Sequence, residues 1–253
     1  MKKFNKKYII YFLLILTVVS FIWFDMFFLK TNSDFFAQEL KKAGESSDVI
    51  IIFNSGGFGT VEFENAYDIR PIIENTREVI ENMNYKVAIV PYYRTKETII
   101  GKIGYLKEMF YSFPKESDDL AFQIREFLKD NPEDKILMAG LSNGAAFVGA
   151  TMKDLDDIKN NVSAIQLGSP FWAEKDLREN ILFLDNNGSD VLTAGKKKEI
   201  ITSFLKAPFK WLQSKIKNKE MSFAEAIEAP GHHYYWEDVG KEIELFVAER
   251  LGR

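Results

Sequence analysis

The chain has 253 residues, a net charge of −4 and 28% charged residues of both signs, interspersed along its length. That length buries one sizeable core, and without a basic excess there is no field to recruit nucleic acid. There are no cysteines, which excludes disulfides, thiolate catalysis and the soft ligands of structural zinc, and only two histidines, so any imidazole chemistry must use them.

Lys2, Lys3, Lys6 and Lys7 precede an uninterrupted apolar run from Tyr8 to Phe24, which Met26 to Leu29 extend past Asp25. This is the length a helix needs to cross a hydrocarbon core, and the lysines mark its cytoplasmic side. Residues 1–30 are therefore expected to be a basic stub and one transmembrane signal anchor, leaving the rest of the chain extracytoplasmic. The alternative is a cleaved signal peptide with Val18 and Ser20 before the cut, which would make the protein secreted. It would also leave Phe21-Ile22-Trp23-Phe24 as an apolar mature N-terminus. Residues 31–47 carry Phe35, Phe36 and Leu40 at helical spacing and read as a juxtamembrane helix or linker.

A single domain is expected over residues 48–253. Val49-Ile50-Ile51-Ile52-Phe53 is continuous and β-branched, as in a parallel strand buried on both faces, and it runs into Asn54-Ser55-Gly56-Gly57-Phe58-Gly59. A glycine-rich loop at a strand's carboxyl end can cradle phosphate or present N–H groups to a developing oxyanion. This one lacks the Gly-Lys-Ser/Thr ending of a phosphate loop, leaving Gly56, Gly57 and Phe58 as oxyanion donors or as a plain glycine turn. Tyr67 to Asn84 follows at helical period, then a strand from Lys86 to Val90. Thr95 to Phe113 is aromatic, basic and poorly periodic, either a cap over a site or an irregular connection. Ser117-Asp118-Asp119 predicts the start of a helix that runs to Lys129.

Lys135 to Ala150 is a short apolar strand, a sharp turn and a helix that opens on small residues. The turn is Gly140-Leu141-Ser142-Asn143-Gly144, a G-x-S-x-G pentapeptide in the strand-to-helix context that holds a nucleophilic serine clear of the sheet. The N–H of Asn143 opens the helix and can face an oxyanion. Val162 to Leu167 and Ile181 to Leu184 are further strands. Strands alternating with helical stretches imply an α/β fold, a mostly parallel sheet with helices on both faces, and a ligand site at the strands' carboxyl ends.

The last strand runs into Asp185-Asn186-Asn187-Gly188-Ser189-Asp190, which offers two carboxylates to orient a histidine. Both histidines, His232 and His233, lie in Pro230-Gly231-His232-His233-Tyr234-Tyr235-Trp236. A serine hydroxyl needs an adjacent base, which imidazole supplies best near neutral pH. Two adjacent histidines lack the i, i+4 spacing of a zinc site. Between acid and base, residues 191–228 are basic, aromatic and amphipathic. They read either as a lid or lipid-facing surface or as ordinary helices with a lysine face, and Pro208 is expected to break any single long helix there.

The elbow GLSNG, the loop NSGGFG, the stretch NGSDVL and PGHHYYW fall in an order that resembles the α/β-hydrolases of the esterase and lipase kind. The resemblance covers Asp48 to Arg253 and implies Ser142 as nucleophile, Asp190 as acid and His232 as base. Asp185 and His233 are the alternates, and Asn143 and a residue of Gly56 to Phe58 would be the backbone oxyanion donors. The chain departs from the family in lacking the histidine of its common oxyanion loop. The activity so implied is cleavage of a carboxylic ester or thioester, small or lipophilic, without a cofactor and without nucleic acid, at a membrane reached through the N-terminal helix. A peptidase or amidase with the same triad, and a non-catalytic hydrolase-like binding protein at the membrane, are the other classes.

Overall fold

Five strands carry the molecule: β1 (Val49–Asn54), β2 (Val87–Pro91), β3 (Lys135–Leu141), β4 (Val162–Leu167) and β5 (Ile181–Leu184). The structure is a computed structural model that describes residues 34–94, 113–217 and 230–252, with Leu16, Thr17 and Ser20. All strand pairs are parallel, in the order β2-β1-β3-β4-β5, with Phe53 opposite Ala139 and Asn54 opposite Gly140. The chain leaves β1 toward β2 and then crosses back to β3, so the strand order reverses between β1 and β3. In parallel sheets of this kind a ligand site is expected at the carboxyl ends there.

The apolar runs read as buried strands because both faces of the sheet are covered. Ile50, Ile52, Ile136 and Met138 face one layer and Val49, Ile51, Phe53, Leu137, Ala139 and Leu141 the other, the period-2 alternation of a strand. The first layer holds α1 (34–44), α3 (Pro114–Asp130) and α4 (Asn143–Lys153); the second holds α2 (Arg70–Asn82) and α6 (Trp236–Leu251). Of residues 31–47, expected as a juxtamembrane helix or linker ahead of the domain, 34–44 form a helix that is part of the core, with Phe36 and Leu40 at 2% and 1% exposure. Phe36 meets Tyr92 edge to face at 5.0 Å.

Three boundaries differ from expectation. The helix expected over 67–84 is the shorter α2, with Pro71 in its first turn, where a missing N–H costs no intrahelical bond. The helix expected from Ser117 begins at Pro114. Ser117 does not cap it; its hydroxyl donates back to the Phe113 carbonyl at 2.7 Å, inside the first turn. The break expected at Pro208 is absent, because α5 (Lys197–Ile216) continues through it. A proline forfeits one bond of the ladder, and the bonded turns on either side carry the helix past it.

The expected anchor falls, apart from Leu16, Thr17 and Ser20, outside the described residues, as do 95–112 and 218–229. Among the described residues no helix is long and apolar enough to cross a membrane.

Candidate active site

Ser142 follows β3 directly and precedes α4, with φ 55° and ψ −123°, a backbone conformation in which a side chain is strained. Packing enforces it. Gly140 and Gly144 face each other across the turn, and a Cβ on Gly140 would stand 2.5 Å from the Gly144 carbonyl carbon. Gly144 in turn lies on the end of β1, where a Cβ would come within 2.7 Å of the Ser55 carbonyl oxygen. The turn is as tight as the backbone allows, so α4 starts directly above the sheet edge with Ser142 half-buried at its tip. The Ser142 N–H donates to the Leu167 carbonyl at 2.9 Å, which ties the elbow to the end of β4.

Gly168, the next residue, links the elbow to the histidine. Its φ is +59°, and a Cβ there would fall 2.7 Å from His232 Cε1 and 2.8 Å from Asp190 Oδ2. The imidazole and the carboxylate therefore lie on bare backbone at the end of β4, one residue from the carbonyl that holds Ser142. His232 Nδ1 is 2.7 Å from Asp190 Oδ2. A carboxylate only accepts, so the proton of neutral His232 sits on Nδ1 and Nε2 is left with a lone pair.

Asp190 is fully buried. Its Oδ1 accepts the N–H groups of Leu192 at 2.9 Å and Thr193 at 3.3 Å; its Oδ2 also accepts the Thr193 hydroxyl at 3.1 Å and the Tyr234 hydroxyl at 2.7 Å. Burial alone would raise its pKa, but the hydrogen bonds and charge of His232, with Tyr234 and the Thr193 N–H, outweigh it and hold the carboxyl below the usual range. The Tyr234 hydroxyl is pushed well above its ordinary value by burial and by donating to Asp190.

The alternates lie elsewhere. Asp185 Oδ1 accepts the Gly188 N–H at 3.0 Å within its own loop. His233 points outward and stacks with Tyr235, ring centroids 6.3 Å apart. The segment before α6 is extended, so His232 and Tyr234 turn inward to Asp190 while His233 and Tyr235 are exposed. Asn186 fastens this segment, its side-chain amide donating to the carbonyls of Gly231 at 3.0 Å and His233 at 3.3 Å.

The loop after β1 lies beside the elbow. A Cβ on Gly56 would stand 3.8 Å from Ser142 Cβ, and the Asn143 side-chain amide reaches the Gly57 carbonyl at 3.4 Å. Phe58, beyond it, is 37% exposed, as is Phe171 on the loop after β4, where Trp172 is 47% exposed. Sequence reasoning missed Thr193, Tyr234 and Asn186. Only Tyr234 left a signal, its period-2 spacing from His232.

No protein-family model matches the chain, and no curated protein matches it. Among solved structures it is similar to a Trichoderma reesei cutinase in complex with a C11Y4 phosphonate inhibitor, at 12% sequence identity and a TM-score of 0.53, over 89% of this chain and 91% of that chain. At that identity the likeness shows the α/β fold with its five-stranded parallel sheet.

Proposed function

We propose that this protein is a serine hydrolase of the α/β-hydrolase type, cleaving a carboxylic ester or thioester through an acyl-enzyme. The observation that carries the reading is the His232–Asp190 pair packed on Gly168, next to the carbonyl that anchors a strained Ser142 elbow. The similar fold is that of a cutinase solved with a phosphonate inhibitor, which supports ester cleavage as the reaction class.

In this reading Ser142 Oγ attacks the carbonyl carbon while His232 Nε2 takes its proton, and Asp190 stabilises the imidazolium and keeps the ring in place. The carbonyl electrons move to an oxyanion held by the N–H of Asn143 and an N–H of the Gly56 to Phe58 loop. The imidazolium returns the proton to the leaving alcohol or thiol, and water repeats the sequence to free the acid and regenerate Ser142. No cofactor enters. The exposed Phe58, Phe171 and Trp172 on the surrounding loops favour an apolar acyl group. The exposed Phe209 and Leu212 of α5 fit a lid or lipid-facing role for 191–228. We further propose that residues 1–30 anchor the domain outside the cytoplasm, which protease accessibility of intact cells would test.

The direct test is labelling with a fluorophosphonate, comparing wild type with Ser142→Ala and His232→Ala and mapping the adduct by mass spectrometry. The expected result is an adduct on Ser142 that Ser142→Ala abolishes and His232→Ala slows by about a hundredfold or more. A folded wild type that stays unlabelled would sink the mechanism.

A further inference from the structure

Arg94 lies just past the end of β2 and is 3% exposed. Its charge is not spent on solvent. Nη1 donates to the Asn143 carbonyl at 3.1 Å, and Nη2 donates to the Ser55 carbonyl. The guanidinium carbon is 5.4 Å from the ring centroid of Phe147, one turn along α4 from Asn143, and 5.7 Å from that of Phe113. The Arg94 N–H donates to the Gly59 carbonyl at 3.1 Å, and Gly59 rests so closely on the side chain that a Cβ would stand 2.6 Å from Nε. One cation thus ties the loop after β1 to the first residue of α4, at the place where the strand order reverses.

A peptide unit is planar and trans, so its N–H points away from its C=O. The Ser55 carbonyl belongs to the same unit as the Gly56 N–H. Held by Arg94, that carbonyl turns the Gly56 N–H to the opposite side, and Gly56 lies beside Ser142. The guanidinium also polarises the unit and strengthens its N–H as a donor. We propose that Arg94 is a positioning residue of the oxyanion site, fixing the Ser55–Gly56 peptide so that the Gly56 N–H is the second donor beside that of Asn143. This rests on the serine-hydrolase reading and adds to it the residue that takes the place of a side chain in the oxyanion loop.

The test uses the full chain, with p-nitrophenyl acetate and butyrate as substrates and n-butylboronic acid as a tetrahedral mimic of the oxyanion state. Rates are expressed per site titrated with fluorophosphonate. Arg94→Met keeps the apolar stem without its donors; Arg94→Lys keeps the charge but reaches one carbonyl at a time. Both are expected to lower kcat by about 10- to 100-fold with KM changed by less than about threefold, and to weaken the boronate by about the same factor as kcat. A general loosening of the fold would not make boronate affinity track kcat. Folded variants with kcat and boronate affinity within about twofold of wild type overturn the proposal, as does a loss of kcat that leaves boronate affinity unchanged. If Arg94→Met does not fold, Arg94→Lys decides. A folded wild type that neither labels nor hydrolyses either ester fails at the earlier step and removes the hydrolase reading itself.

Discussion

Asp190 has five hydrogen-bond donors around a carboxylate with no access to water, and three of them, His232, Tyr234 and the Thr193 hydroxyl, converge on Oδ2. The pKa of that carboxyl is lowered in the folded state, so the charged form stabilises the fold. The sign follows: the contribution is complete above the ordinary aspartate value, about 3.9, and is lost as pH falls from there through the folded value. Tyr234→Phe deletes one donor and leaves the shape of the core. It is expected to cost about 1–3 kcal/mol at neutral pH, and the gap to wild type should narrow as pH falls below the ordinary aspartate value of about 3.9 into the lower range where the folded-state Asp190 takes up its proton. Urea unfolding of both proteins across that range measures it. A gap constant with pH would place the effect of Tyr234 in packing rather than in its bond to Asp190.

At the level of elements, the site is made by backbone that has no room for side chains. Gly168→Ala puts a methyl group between His232 and Asp190 and forces a residue with a Cβ to adopt φ +59°. We expect it to cost about 1–3 kcal/mol and, on the serine-hydrolase reading, to lower ester turnover by about a hundredfold or more, because the imidazole must move off the carboxylate that orients it. Fluorophosphonate labelling rate against thermal stability separates the two effects. This is also where the sequence was most and least legible. The strands could be read because runs such as Val49 to Phe53 are apolar on both faces, and the elbow because tight turns need glycine at fixed offsets. Ser117 misled because its hydroxyl serves the first turn from within, an interaction with the same residue type and nearly the same spacing as a cap. Arg94 left no signal at all. Its partners are main-chain carbonyls, which every residue has.

For the molecule as a whole, the boundary of the folded unit lies earlier than the apolar strand β1 suggests. Phe36, Leu40 and Ala43 are buried against the layer of α3 and α4. A chain beginning at Asn32 is expected to fold, whereas one beginning at Asp48 should lose about 4 kcal/mol or more, since two large core side chains at about 2–5 kcal/mol each go with α1. Guanidinium unfolding midpoints of the two truncations check it, and equal midpoints would show that the helix is dispensable. The ends of another segment meet in space: the Val191 N–H donates to the Pro230 carbonyl at 3.2 Å, while Asn186 grips Gly231 from the other side. The chain between them leaves and returns through what is, for the rest of the protein, a single doorway. Leu192 and Thr193, at the start of that detour, hold Asp190 and must stay. Beyond them, a segment whose two ends are pinned at one place is free to change in length and content while the aspartate and histidine beside its hinge posts keep their positions, so that on the hydrolase reading substrate preference drifts there and not at the triad.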